Sequence, residues 1–548
     1  MSTQWWRTAV IYQVYPRSYS DGNGDGTGDL PGITARLEHL VDLGVDALWL
    51  SPFYPSPQLD GGYDVADYCD VDPRFGTLAD AEALVARAHE LGLRVVVDLV
   101  PNHSSWEHPD FRAALAAEPG SPEREKYVFR DGRGPDGDLP PTDWVSMFRG
   151  PAWTRTQDPD GTPGQWYLHL FDASQPDWNW ESPQVRAEFE DVLRFWLDRG
   201  VDGFRVDVCD ALVKDPTWPS WPHLMIGVVE RVEGQVPPMW DQEGIHEIFR
   251  SWRALLDTYP GERILCAEAW LPPDRAARIV RPDEMHQAFN FPYLEAPWRA
   301  DELRPVITTS LAANGAVGAP TTWVLSNHDG LRHTTRFGFE ADVPVPEGIR
   351  ATDPQPDREL GLRRARAATL LTLGLPGSVY LYQGEELGLP EVTDLDDDLR
   401  EDPGWFRSGK TVPGRDGCRV PLPWQADAPS FGFGSDGPTW LPQPAYFADY
   451  AVDRQAGVVG STLEMYRRAL ALRAELGLGG EGLAWAAEDA GQVLAVDRGD
   501  VLVIANTSAD PVSLPEGEVL LASGPGVDHQ LPGDTTAWVR RRAQRTAP

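Results

Sequence analysis

Four strand-like runs of this 548-residue chain end in groups that can do acid–base chemistry. One carries Asp98, Asn102 and His103, a second Arg205 and Asp207, a third Glu268, and a fourth His328 and Asp329. Side chains alternate faces along a strand, so Arg205 and Asp207 project from one face of theirs. Taken singly, each acid reads as a hydrogen-bond partner or half of a structural ion pair. Brought to one cleft, Asp207, Glu268 and Asp329 would repel one another, which stability alone does not favour. Glycoside cleavage uses such a set. One carboxylate attacks the sugar, a protonated second gives its proton to the leaving oxygen, and a third favours the positive charge developing on the ring. Arg205 would keep Asp207 ionised and oriented. His103 and His328 lack the clustered spacing of a zinc site and read as hydrogen-bonding groups for hydroxyls.

Convergence requires a fold that aims distant strand ends at one place. Apolar runs begin near Ala9, Ala47, Val95, Gly203, Ile264, Trp323 and Ser378, with an eighth expected between Gln287 and Phe291. Helical periods separate them over Ile33 to Leu43, Ala79 to Leu91, Pro183 to Arg199, Ile245 to Asp257 and Gly361 to Leu373. Strands apolar on both faces, alternating with helices, predict a parallel sheet. Eight such units predict an α/β fold, a (β/α)8 TIM barrel, in which every strand's C-terminal end points at one mouth. The rhythm breaks after Ser104, which predicts a subdomain inserted behind the third strand. The expected division is a barrel over residues 1–103 and 176–476, a subdomain B over 104–175, and a C-terminal all-β sandwich over 477–548. The last follows from short alternating strands beyond the Gly477–Gly480 linker.

A second constellation lies near the start. In DGNGDGTGD, oxygen-bearing side chains alternate with glycines, and Asp21, Asn23, Asp25 and Asp29, with a backbone carbonyl near Thr27, form a donor set for a hard cation. The twelfth position is Gly32, not glutamate, so this is no EF-hand. A tight metal-free turn is the alternative, but so many carboxylates favour an ion.

The bulk numbers restrict partners. The formal charge is −36, which argues against nucleic acid and anionic membrane. No apolar run reaches the ~20 residues a span requires, and no signal peptide is visible at the start. The four cysteines show no C-x-x-C spacing, and Cys209 and Cys266, inside strand-like runs, read as buried reduced thiols, which points to a cytoplasmic location. A monomer or small homo-oligomer acting on a small sugar substrate, with no organic cofactor, is the expectation.

The motifs DLVPNH (98–103), GFRVDVCD (203–210), LCAEAW (265–270) and VLSNHD (324–329) together resemble the α-amylase superfamily, glycoside hydrolase family 13, over essentially the whole chain. The resemblance implies Asp207 as nucleophile, Glu268 as acid/base and Asp329 as transition-state stabiliser, with retention of the α configuration. It also implies that Arg205, His103, His328 and Tyr63 line the first sugar subsite, with Phe171 and Val208 beside them. QPDWN (175–179) resembles the QPDLN marker of the oligo-1,6-glucosidase and α-glucosidase branch, with Trp178 in place of leucine. The DGNGDGTGD loop resembles that branch's metal loop, which implies structural calcium, or magnesium in its place. RDGCRVPLPW (415–424) resembles the segment RDNARTPMQW, which implies that Arg419, with Asp60, grips the non-reducing end and makes the enzyme exo-acting.

The resemblance leaves the linkage open. Branch members acting on α-1,6 bonds carry valine after the nucleophile and maltases usually alanine; here Val208 is followed by Cys209-Asp210, which matches neither pattern. Hydrolysis is the first reading. A transglucosylase or a sucrose- or trehalose-active isomerase is the alternative, and an inactive binding homologue the remote one, against which the three acids weigh.

Overall fold

The computed structural model describes residues 4–158, 161–224, 227–228, 235–340, 343–434 and 436–541. Eight parallel strands form its centre: β1 (Val10–Val14), β2 (Ala47–Leu50), β3 (Arg94–Leu99), β4 (Gly203–Val206), β5 (Ile264–Ala267), β6 (Gln287–Ala288), β7 (Thr322–Val324) and β8 (Ser378–Tyr382). Their spatial order is β7-β8-β1-β2-β3-β4-β5-β6. A parallel bridge from Phe289 to Thr322, reinforced by the Asn290 amide donating to the Thr322 carbonyl at 3.0 Å, joins the two ends. The sheet is thereby a closed barrel, as the alternation of elements predicts.

The strands are buried along almost their full length, Arg94 being only half-buried. That is what helices packed around a parallel barrel demand of their sequence. Local chemistry sets where the helices begin. Thr77 and Asp80 form a reciprocal capping box for Leu78–Glu90, Asp357 caps Arg358–Gly374, and Ser461 caps Thr462–Leu476, which ends on a left-handed Gly477. The stretch expected as one helix over Ile33 to Leu43 is two, Leu30–Ala35 and Leu37–Leu43, broken at Arg36. A helix at Ala300–Ala316, with Pro305 inside it, was not legible in the sequence.

Between β3 and β4 lie the helix Pro109–Ala116 and a three-stranded antiparallel sheet, Phe129–Arg130, Pro163–Leu168 and Trp153–Gln157. Behind the barrel, a five-stranded antiparallel sheet spans Ala484 to Arg541, with a separate pair at Val512–Ser513 and Gln530–Leu531. This sheet is bolted on: Trp538 Nε1 donates to the Leu370 carbonyl at 2.9 Å and Thr536 Oγ1 to that of Ala367 at 2.8 Å. All four cysteines are free thiols. Cys266 lies in β5, whereas Cys209, expected in a strand, sits in a short 3-10 turn just past β4. Among the described residues, no helix is long and apolar enough to cross a membrane.

Candidate active site

The strand ends meet in a cavity of about 630 Å³ at the C-terminal mouth of the barrel. Asp60, Tyr63, His103, Phe171, Asp207, Val208, Glu268 and Asp329 line it. Eight of the eleven residues expected for catalysis and sugar binding therefore share one wall. Arg205, His328 and Arg419 lie just behind it, buried, and hold the lining in place.

Arg205 is the hub. Its Nη1 reaches Asp207 Oδ1 at 2.7 Å and Asp98 Oδ1 at 3.0 Å, while Nη2 lies 2.8 Å from Glu268 Oε2. Asp98 also accepts from Trp49 Nε1 at 3.1 Å and from the Tyr63 hydroxyl at 3.0 Å. Register explains the meeting: Arg205 is paired with Asp98 on β3 and with Cys266 on β5. One buried guanidinium thus faces three carboxylates. Removing the guanidinium would cost about 3–5 kcal/mol, because the buried carboxylates would be left uncompensated. Burial, followed by the Glu268 charge, pushes the Asp207 carboxyl well above the usual range, against the pull of Arg205. Asp329 behaves oppositely. Burial would raise it, but His328 and the guanidiniums of Arg415 and Arg419 hold it below the usual carboxylate range. One cleft therefore contains two carboxyls on one guanidinium and a third acid held as the anion.

Val208, next to Asp207, is left-handed at φ 45°, ψ 41°. For a β-branched residue that conformation costs on the order of 1–3 kcal/mol and marks a functional turn. Its amide donates to Glu268 Oε2 at 3.1 Å, so the strained turn fixes the second acid as well as the first. His328 stacks on Tyr63 with ring centroids 5.0 Å apart, and its Nδ1 meets the Gln13 amide at 2.7 Å. Burial drives its pKa down, against the pull of the Asp329 carboxylate 3.1 Å from its Nε2. His103 is held by Asn102 and by Gln175, whose Nε2 also donates to Asp60 Oδ2 at 2.9 Å. The QPDWN segment therefore acts through Gln175. Asp177 anchors it by an ion pair with buried Lys214 at 2.8 Å, and Trp178 packs on Tyr127 away from the cavity.

Asp60, expected with Arg419 at the non-reducing end of the substrate, is paired with Arg415 at 2.5 Å. Arg415 also reaches Asp329 at 2.9 Å and Asp402 at 2.5 Å, closing one end of the cavity with a four-membered charge cluster. Arg419 is spent on Asp329 at 3.1 Å and on the His328 carbonyl at 2.9 Å, so it supports the floor and does not reach Asp60. The reason is the 3-10 turn Asp416–Cys418, which sends the first arginine of the segment into the cavity and the second beneath it. The signal for Arg415 was the start of RDGCRVPLPW itself.

In the Asp21–Asp29 loop the side-chain oxygens are turned inward onto backbone amides. Asp21 Oδ1 accepts from Asn23 and Gly24 at 3.1 and 2.6 Å, Asn23 Oδ1 from Asp25 at 2.9 Å, and Asp25 Oδ1 from Thr27 at 2.8 Å. Asp29 caps the helix at Gly32, and burial, with Asp21 nearby, raises its carboxyl. Among the described residues, no three His, Cys, Asp or Glu side chains gather as a metal cluster. The donor chemistry, all hard oxygen on a tight loop, fits a hard cation.

An eight-stranded barrel with an insertion after β3, an antiparallel C-terminal sheet and paired carboxylates at its mouth defines a class of glycoside hydrolase. Residues 13–478 match the α-amylase catalytic domain, and the chain belongs to that family of glycoside hydrolases. It is 40% identical over 489 residues to a probable α-glucosidase of Rhizobium meliloti (strain 1021), covering 86% of this chain and 82% of that one. It is 33% identical over 507 residues to an oligo-1,6-glucosidase of Parageobacillus thermoglucosidasius, covering 86% and 84%. Among solved structures, it superposes on the α-glucosyl transfer enzyme XgtA with a TM-score of 0.82 at 35% identity, over 98% of this chain and all of the other.

Proposed function

We propose that the protein is a retaining, exo-acting α-glucosidase that releases glucose from the non-reducing end of short α-glucosides. The observation that carries this reading is one cavity in which Asp207 and Glu268 share the two terminal nitrogens of Arg205, at 2.7 and 2.8 Å, with the Asp60–Arg415 pair on the same wall. Two carboxyls held on one guanidinium suit the closer spacing of a retaining pair, not the wider one that admits a water for inversion. A closed end admits a terminal sugar and stops a chain passing through.

In the proposed reaction the terminal glucose lies between the two acids, and Glu268 is the acid that gives up a proton. Arg205 keeps Asp207 ionised. As an Asp207 oxygen bonds to C1, the C1–O glycosidic bond breaks and its oxygen takes the Glu268 proton. Asp329, always ionised, favours the charge on the flattened ring and holds its hydroxyls. Glu268, now a carboxylate, removes a proton from water; the hydroxide bonds to C1, the C1–Asp207 bond breaks, and α-glucose leaves. An alcohol in place of water gives transfer. The similarity to the α-glucosyl transfer enzyme, and to a trehalulose synthase (TM-score 0.83, 28% identity, 98% of this chain and all of that one), favours keeping that second reading. Initial rates on maltose, isomaltose, sucrose, trehalose and an aryl α-glucoside test the proposal and rank the linkages. Glucose release as the main product from maltose or isomaltose is expected. Rearrangement of sucrose or maltose to an isomeric disaccharide, with little glucose freed, would overturn it in favour of an isomerase.

The proposal extends to a structural calcium, or magnesium, held by Asp21, Asn23, Asp25, Asp29 and the Thr27 carbonyl. Three acids and an asparagine on one nine-residue loop support it, since a cation would offset the burial and the Asp21 charge that raise Asp29. Its role is to stiffen the loop; no chemical step uses it. Chelation is expected to lower the melting temperature by at least ~2 °C, restored by added calcium. An unchanged melting curve, with no metal found by elemental analysis, would remove the site. A cytoplasmic location, drawn from four unpaired thiols, belongs to the same proposal.

A further inference from the structure

The turn that follows the proposed nucleophile carries one more acid. Asp210 lines the cavity and is 2% exposed, yet its Oδ2 has no hydrogen-bond partner among the described residues. Leaving a buried carboxyl oxygen unmatched is costly, and such an atom calls for an occupant. Its neighbours are committed elsewhere. Asp241, whose amide donates to the Asp210 carbonyl at 2.7 Å, is taken by Arg275 at 2.5 Å. Lys214 is taken by Asp177, by Asn102 Oδ1 at 2.9 Å and by the Ala211 carbonyl. By contrast, Asp60, Asp207 and Asp329 each face a guanidinium.

Position assigns Asp210 to the leaving-group side. The Asp60–Arg415 pair comes from the loops after β2 and β8, where the terminal glucose would sit, whereas Asp210 follows β4, which lies across the barrel from β8. Asp210 lies on the turn whose Val208 amide holds Glu268, the acid that must face the leaving oxygen. Trp270 donates to Glu268 Oε1 at 3.2 Å and stacks on Phe291, whose helix also lends apolar Leu294 to the cavity wall. In an apolar pocket a few placed polar groups fix orientation.

We propose that Asp210 is an aglycone-binding residue that donates a hydrogen bond to a hydroxyl of the departing sugar, selecting a sugar aglycone against an apolar wall. Burial, then the Asp241 charge, pushes its carboxyl well above the usual range, which keeps the donor proton in place. This rests on the α-glucosidase reading.

The test compares maltose with phenyl α-glucoside, whose aglycone offers no hydroxyl. Asp210→Ala is expected to lower kcat/KM on maltose about tenfold more than on the phenyl glucoside, the loss of one substrate hydrogen bond, with the effect in KM. Asp210→Asn, which keeps a donor, should recover most of it, and its melting temperature controls for folding. Equal losses on both donors, or no loss on either, would overturn the assignment. A wild-type enzyme that frees glucose from neither donor would remove the α-glucosidase reading itself, and this inference with it.

Discussion

Replacing Asp207 with asparagine is expected to abolish turnover on every α-glucoside, with kcat falling by on the order of 10^4 to 10^6-fold. The amide has nearly the same shape, so Arg205 Nη1 still finds an oxygen at the position now 2.7 Å away, and the fold persists. What disappears is the nucleophile, and without it no bond from the enzyme forms to C1. Removing one negative charge from a network of three carboxylates around one guanidinium also relieves repulsion. The variant should therefore melt no lower than the parent. Steady-state rates on maltose alongside a melting curve check both halves. A variant that is inactive because it is unfolded would not support the role; one that keeps parental rates would end it.

Glu268→Gln should produce the second-largest effect, and one that depends on the substrate. Maltose has a poor leaving group that needs a proton, so its rate should fall by about 10^2 to 10^4-fold. A 4-nitrophenyl glucoside leaves unaided, so its first step should suffer far less. The glucosyl–Asp207 intermediate would then accumulate, since no base remains to activate water. Sodium azide needs no base, and should restore turnover and yield the α-glucosyl azide. Equal losses on both substrates, or no azide product, would show that Glu268 is not the acid/base. The Val208 amide at 3.1 Å donates to Oε2 and the Trp270 indole at 3.2 Å to Oε1, so the one oxygen of glutamine keeps one of these bonds and its amide nitrogen loses the other.

These two acids were legible in the sequence because parallel barrel strands are nearly all apolar. Against Val-Val-Val or Ile-Leu-Cys, a charged residue at a strand end stands out, and the barrel guarantees that the ends converge. Strand register then made Arg205 the partner of Asp98, a pairing set by inter-strand alignment that no spacing within one strand reveals. Arg415 was harder. It lies in a loop beyond the last barrel strand, and whether it or Arg419 enters the cavity depends on one 3-10 turn between them. The left-handed Val208 was invisible for the opposite reason: a β-branched residue is an unfavourable choice there, so propensity points away from it. Likewise, the Ala300–Ala316 helix was hidden by its internal Pro305, which tertiary packing overrides. Asp210 was seen only as a departure from a familiar pattern; its unmatched oxygen needed the folded chain.

The account stands or falls on where the sugar becomes attached. Mass spectrometry of peptic peptides, after reaction with 5-fluoro-α-glucosyl fluoride and an acid quench, measures this directly. The added mass is predicted on the peptide spanning Gly203–Asp210, localised by fragmentation to Asp207, and absent from the Asp207→Asn variant. An adduct on Glu268 or Asp329, or steady turnover of the reagent with no adduct at all, would contradict it.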